Sequence, residues 1–211
     1  DEDEPVEVKS LIVNLTNKNN LIVTESSSLY TQKRGGVGSK FKLEDGEYVM
    51  SSTSCQNIDT LLFFSVQGNV FSYVAGALPV GEKIAVESLF MIEQSEKICA
   101  MTALTKNCNE KYIIFITKNG MFKKSELAEY NMKRGKSGIR ALTLDDGDEI
   151  CSVLFTNEER IGIMTEMGYS VLGSREVTKR NGKRFRNELY SYGEGTAVNI
   201  AYSSDGRIAM K

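Results

Sequence analysis

The sequence predicts an all-β, propeller-like fold of about four repeats of roughly 50 residues each. Three observations lead there. Strand-like segments recur at a near-constant period, a tight turn punctuates each recurrence, and no amphipathic helical stripe of comparable length appears.

The period is visible by direct comparison. Leu11-Ile12-Val13-Asn14-Leu15-Thr16, a turn and Leu21-Ile22-Val23 match Ile113-Ile114-Phe115-Ile116-Thr117, a turn and Met121-Phe122-Lys123. Downstream, Tyr30, Lys33, Arg34, Gly35 and Gly38 stand 100 positions before Tyr130, Lys133, Arg134, Gly135 and Gly138. Leu43-Glu44-Asp45-Gly46 likewise stands 101 before Leu144-Asp145-Asp146-Gly147. An intervening unit opens at Leu61-Leu62-Phe63-Phe64 and turns at Gly68; a fourth opens at Arg160-Ile161-Gly162-Ile163 and turns at Gly168. By subtraction the turn positions Asn20, Gly68, Gly120 and Gly168 are 48, 52 and 48 apart. The expected organisation is an acidic linker end over 1–10 and a domain over 11–211, with approximate units 11–60, 61–109, 110–158 and 159–211. Tyr202 to Met210 aligns with Phe155 to Ile163 at an offset of 47, as the first strand of a fifth unit would.

Within each unit the segments are short, rich in Ile, Val, Phe and Thr, and bounded by Gly, Asn, Asp and Ser, which is strand chemistry. Asn119-Gly120 predicts a two-residue type I′ hairpin, because both central positions of that turn need positive φ. Ser125 to Tyr130 has the composition of a short helical turn. Repeated strand groups of this length point to a ring of four-stranded blades, which leaves only short, protected sheet edges. An ordinary β-sandwich explains the period poorly.

Composition supports a folded body: 41% of residues are hydrophobic, 26% are charged and only two are proline. No apolar run approaches the roughly 18 to 20 residues of a membrane-spanning helix, and Asp1-Glu2-Asp3-Glu4 is the reverse of a basic leader. A cytoplasmic chain with no membrane partner is expected, cut from something longer because it does not begin with Met. Cys55, Cys99, Cys108 and Cys151 form no C-x-x-C pair, and the chain has no histidine. A mixed Cys/His zinc site and Ser–His or Cys–His nucleophilic pairs are thereby excluded, and the thiols read as buried and reduced. No metal site and no catalytic residue is expected.

The formal net charge of −2 conceals an uneven distribution. Residues 8–42 carry six bases against Glu25, residues 110–142 carry eight against three acids, and residues 159–188 carry seven against four. Acids gather at other phases, in Glu44-Asp45-Gly46-Glu47 and Asp145-Asp146-Gly147-Asp148-Glu149. In a ring, equal phases occupy equal positions, so bases should line one edge and acids another. The second unit departs, with only Lys83 and Lys97 against four acids over 60–98, and should contribute little to anion binding. Gly35-Gly36-Val37-Gly38-Ser39-Lys40 lacks the order of a phosphate-binding loop, and the paired aspartates lie in turn-like sequence where acids serve local hydrogen bonds.

Gln32-Lys33-Arg34-Gly35-Gly36-Val37-Gly38 resembles the seven-residue box Q-R-R-G-G-K-G that marks the C-terminal domain of bacterial gyrase A subunits. Five positions match, Lys33 replaces Arg conservatively, and Val37 replaces a base. Weaker relatives of the box stand at Lys133-Arg134-Gly135-Lys136-Ser137-Gly138 and Lys179-Arg180-Asn181-Gly182-Lys183-Arg184. The similarity extends from about Val6 through nearly the whole chain. It implies a β-pinwheel whose basic rim bends duplex DNA and presents it for strand passage. It also places ATP, Mg and the cleaving residues in other parts of the enzyme, with no cofactor in this fragment. The expected DNA-binding set is Gln32, Lys33, Arg34, Gly35, Gly36, Gly38, Lys40, Lys123, Lys124, Lys133, Arg134, Lys136, Arg140, Lys179, Arg180, Lys183 and Arg184. The implied partners are double-stranded DNA without sequence preference and, in a parent heterotetramer located at the nucleoid, the topoisomerase B subunit. The topoisomerase IV A subunit is the neighbouring alternative. A protein-binding propeller is the more distant one, and would show an apolar face in place of a basic rim.

Overall fold

The computed structural model describes residues 7–26, 42–105, 110–119, 121–131, 135–157, 160–165, 170–174, 185–186 and 197–202, with backbone alone for 122, 135–136 and everything from 160 onward.

Each repeat begins as an antiparallel hairpin: β1 (Ser10–Thr16) with β2 (Asn20–Glu25), then β4 (Thr60–Ser65) with β5 (Asn69–Val74). The third and fourth hairpins pair β8 (Tyr112–Thr117) with β9 (Met121–Glu126) and β12 (Arg160–Thr165) with β13 (Ser170–Ser174). Their registers correct the turn expected from Asn119-Gly120. Leu15 faces Leu21, Phe64 faces Val70 and Ile116 faces Phe122, so three residues, not two, separate the strand ends. Such a loop combines a type I turn with one left-handed residue. That residue is Asn19 (φ 58°) in the first hairpin and Gly68 (φ 84°) in the second. Their N–H groups donate to the carbonyls of Thr16 and Ser65 at 3.1 and 3.0 Å. The first turn position is therefore Asn19, one residue before the Asn20 aligned from sequence. Gly120 and Gly168 lie outside the described residues.

A return strand adds to the other side of each hairpin: β3 (Val49–Gln56) on β1, β7 (Ile98–Leu104) on β4, β11 (Ile150–Thr156) on β8 and β15 (Ala197–Tyr202) on β12. The fourth strand of each complete sheet comes from the next repeat. β6 (Lys83–Ala85) pairs with β2, β10 (Gly135–Arg140) with β5, and β14 (Phe185–Arg186) with β9. The sheet orders are β3-β1-β2-β6, β7-β4-β5-β10 and β11-β8-β9-β14, followed by a three-stranded β15-β12-β13. Sheet and sequence repeat are thus out of phase by one strand. No repeat with a four-stranded sheet completes it from its own residues.

Stacking of the sheets explains the apolar patterns. β4, Thr-Leu-Leu-Phe-Phe-Ser, is buried along both faces, as a short continuous apolar run predicts. Leu61 and Phe63 join Leu11, Val13, Leu15, Leu21 and Val23 in a cluster between the first and second sheets. Leu62 and Phe64 point the other way, into a cluster with Ile113, Phe115, Leu127 and Tyr130 between the second and third. Phe64 lies 5.6, 5.7 and 5.9 Å from the ring centroids of Phe115, Tyr130 and Phe155, so its truncation to Ala should cost about 3–5 kcal/mol. In β1 burial alternates from Ser10 to Leu15, and Ile12 and Asn14 stay half-exposed. Short 3-10 turns at Ala75–Ala77 and Leu127–Tyr130 follow β5 and β9, the second realising the helical turn expected there. β3, β7, β11 and β15 neighbour one another in sequence along the line where successive sheets meet.

Candidate nucleic-acid interface

Strand exchange decides where the cations stand. β10, from the third repeat, forms the outer edge of the second sheet. Gly135 faces Ser72, Ile139 faces Val70 and Arg140 faces Asn69, so four steps along β10 oppose two along β5. Residues 136–138 therefore form a bulge, the device by which an edge strand lifts residues out of the ladder. Gly138 adopts φ 66°, and an added Cβ would come within 2.5 Å of Phe71 Cε1. Only glycine accommodates both the left-handed backbone and the ring beneath it. Beyond the strand, the N–H groups of Ala141 and Leu142 donate to the Gly68 carbonyl at 2.8 and 3.0 Å. Arg140 is exposed, and its Nη1 lies 3.4 Å from the carbonyl oxygen of Gln67.

The second sheet, whose own repeat is poor in bases, thus carries Lys136 and Arg140 from the third repeat. The bases on this outer edge come from the repeat after the one that supplies the hairpin. On the first sheet the corresponding edge strand, β6, carries Lys83, and here the charge is neutralised. The Lys83 ammonium lies 2.8 Å from Glu47 and 3.1 Å from Glu44, which also pairs with Lys18 at 3.2 Å.

The expected acidic edge is in part an interior network. Glu47 is enclosed; its carboxylate accepts from the Thr16 hydroxyl (2.8 Å), the Asn20 amide (2.8 Å) and the Glu44 N–H (2.9 Å). The Glu44 N–H, then Lys83 and Asn20, hold its carboxyl well below the usual carboxylate range. Glu96 repeats the arrangement, accepting from the Ser65 hydroxyl and, at 2.7 Å, from the Asn69 amide. In the third repeat Asp148 Oδ1 accepts from the N–H groups of Asn119 and Glu149 at 3.0 and 2.9 Å. Glu47 and Glu96 each follow their hydroxyl partner by 31 positions, the spacing that could have revealed the network from sequence.

Two expected contact residues are corrected. Lys123 and Lys124, on β9, are 2% and 4% exposed and cannot meet a phosphate from those positions. Lys123 Nζ donates to the carbonyl of Ala141 at 3.1 Å, and Lys124 Nζ sits 4.5 Å from the centroid of the Tyr112 ring, a cation–π contact. Both cations serve packing between strands. Of the rest, Arg140 is described in full and Lys136 by its backbone. Gln32, Lys33, Arg34, Gly35, Gly36, Gly38, Lys40, Lys133, Arg134, Lys179, Arg180, Lys183 and Arg184 lie outside the described residues.

Other chemistry is sparse. Burial pushes the thiols of Cys55, Cys99 and Cys151 up to about 11, 12 and 11, which keeps them protonated and unreactive. Among the described residues no group of His, Cys, Asp and Glu could hold a metal ion, and no helix is long and apolar enough to cross a membrane. A groove of about 390 Å³ between β3, β7 and β11 has, among the described residues, a single charged side chain on its lining, Glu110.

Comparison with known proteins agrees with this architecture. The family described as DNA gyrase C-terminal domain, beta-propeller, matches residues 12–55 and 111–157. The DNA gyrase A protein of Streptococcus pyogenes serotype M3 is 30% identical over 190 residues, covering 87% of this chain and 23% of that protein. The DNA gyrase A protein of Campylobacter fetus is 30% identical over 164 residues, covering 75% of this chain and 19% of that protein. The chain thus spans about a fifth of the length of these curated relatives. Among solved structures, the C-terminal domain of DNA topoisomerase IV superposes with a TM-score of 0.76 at 20% identity, covering 93% of this chain and 62% of that one. A DNA gyrase A C-terminal domain superposes with a TM-score of 0.58 at 19% identity, covering 91% and 64%. At these identities the likeness is one of fold.

Proposed function

We propose that this chain, which belongs to the β-pinwheel family formed by the C-terminal domains of gyrase A and topoisomerase IV A proteins, binds duplex DNA along the outer edges of its sheets and bends it. The observation that carries this reading is β10, a bulged edge strand whose backbone-placed Lys136 belongs to a relative of the basic box and whose exposed Arg140 follows it. Cations on an edge strand meet phosphates without reading bases, so binding is sequence-tolerant. Bending a site of 20 to 30 base pairs through 40 to 90° costs about 1–6 kcal/mol, which several contacts along an arc must exceed. The remaining basic segments, with the Gln32 to Gly38 box foremost, supply them.

The role is non-catalytic. In the longer protein, working with the topoisomerase B subunit in the bacterial cytoplasm, the bent duplex is presented at the nucleoid for ATP-dependent strand passage. ATP and Mg act in other domains. The near-intact box favours gyrase-type negative supercoiling over the topoisomerase IV alternative.

Titration of the chain against a duplex long enough to wrap, at two or more salt concentrations, tests the reading. Affinity falls steeply with salt, because each neutralised phosphate releases counterions. Salt-insensitive or absent binding contradicts it and favours a protein-binding propeller. Supercoiling by the parent enzyme with and without this domain separates gyrase from topoisomerase IV.

A further inference from the structure

We propose that Phe71 is a positioning residue for DNA contact, seating the β10 bulge so that Lys136 and Arg140 reach phosphates from the edge of the second sheet. The inference rests on the DNA-binding reading above. Phe71 belongs to the second repeat and is 2% exposed, so it touches no ligand itself. Its ring supports the neighbouring repeat: Gly138 lies close enough that a Cβ would meet Cε1, Cδ1 and Cζ at 2.5, 2.8 and 3.0 Å. On its other side the ring packs 5.1 Å from the Phe90 centroid, within the cluster between the first and second sheets. Phe71 therefore couples a rigid core to a strand that has slipped out of regular register.

The far end of the same strand is fastened separately. The Gly68 carbonyl receives Ala141 and Leu142, while Lys123 Nζ holds the Ala141 carbonyl. With that end anchored, the ring under Gly138 sets how far residues 136–138 stand out from the sheet. The second repeat, poor in bases of its own, acts through this seat: it supplies the platform and the third repeat supplies the charge.

The test uses the 211-residue chain. Phe71→Leu keeps an apolar side chain but removes the ring, and Gly138→Ala forces the bulge off it. Each should lower affinity for the wrapping duplex on the order of tenfold at low salt, and flatten the plot of log K against log salt by about 1 to 2, the loss of one or two phosphate contacts. Lys136→Ala/Arg140→Ala should do the same, and adding Phe71→Leu to it should cost little more, because all three routes remove the same contacts. Val13→Ala, in the same cluster but on β1 of the first sheet, controls for general destabilisation and should leave the salt slope unchanged while lowering the Tm. If Phe71→Leu and Gly138→Ala lower the Tm but leave the slope intact, or if their effects add fully to that of the cation pair, Phe71 has no positioning role. If the unaltered chain shows no salt-dependent binding, the DNA reading fails and the inference falls with it.

Discussion

The Lys83 ammonium of the second repeat lies 2.8 Å from the Glu47 carboxylate of the first, whose side chain is wholly enclosed. The pair fastens β6 to the hairpin of the preceding repeat beside the backbone ladder of Leu21 with Ile84. It also neutralises a cation on the first sheet's outer edge.

Glu47 gives the fold an acid-sensitive joint. Its pKa is depressed below the ordinary 4.5 in the folded state, so the stabilisation is present above that value and is lost progressively as pH falls below it. Denaturant unfolding of the native chain should weaken on acidification from about pH 5, and Glu47→Gln should flatten that dependence while lowering stability near neutral pH. Parallel pH profiles for the two proteins would assign the acid response elsewhere.

The third repeat carries an incomplete version of the same network. Met121 stands where Asn20 and Asn69 donate to Glu47 and Glu96, and Asp148 is one methylene shorter than either glutamate. Asp148 Oδ2 is buried without a hydrogen-bond partner among the described residues. Met121→Asn with Asp148→Glu should restore the arrangement and stabilise the chain by about 1 kcal/mol, more than the two single changes summed. A double variant no more stable than wild type in thermal unfolding would refute this.

Gly68 combines φ 84° with a carbonyl that receives two N–H groups from the next repeat. A Cβ there would enter the Leu142 carbonyl oxygen. Gly68→Ala should destabilise by about 1–3 kcal/mol from backbone strain alone and loosen β10. Hydrogen exchange at Ala141 and Leu142 should rise more than at Leu61 to Phe64; uniform change would deny the local coupling.

Much of the fold is legible in the residues. The continuous apolar run of β4, the alternation of β1 and the recurring turns identify strands and their period, because burial on two faces or one writes directly into side-chain pattern. Strand exchange is not legible. Lys83-Ile84-Ala85 is too short for a periodic signal, and which hairpin an edge strand joins is settled by tertiary stacking. The basic residues divide on the same ground. Lys123 and Lys124 read as surface charges by type, yet a backbone carbonyl and an aromatic ring accommodate them inside. Glu47 and Glu96 read as part of an acidic edge, but each closes a hydrogen-bonded loop with a hydroxyl 31 residues earlier. The spacing lay in the sequence; its meaning required the hairpin and the loop to be brought together.

Bending of a duplex by this chain requires basic edge segments from separate repeats to act on it together. Energy transfer between dyes at the two ends of a wrapping-length duplex reports bending directly. Addition of the wild-type chain should bring the ends together, Lys33→Ala/Arg34→Ala should weaken that response strongly, and Lys83→Ala/Lys97→Ala should weaken it far less. Equal losses from the two pairs, or no approach of the ends with the wild-type chain at low salt, would contradict bending by those segments.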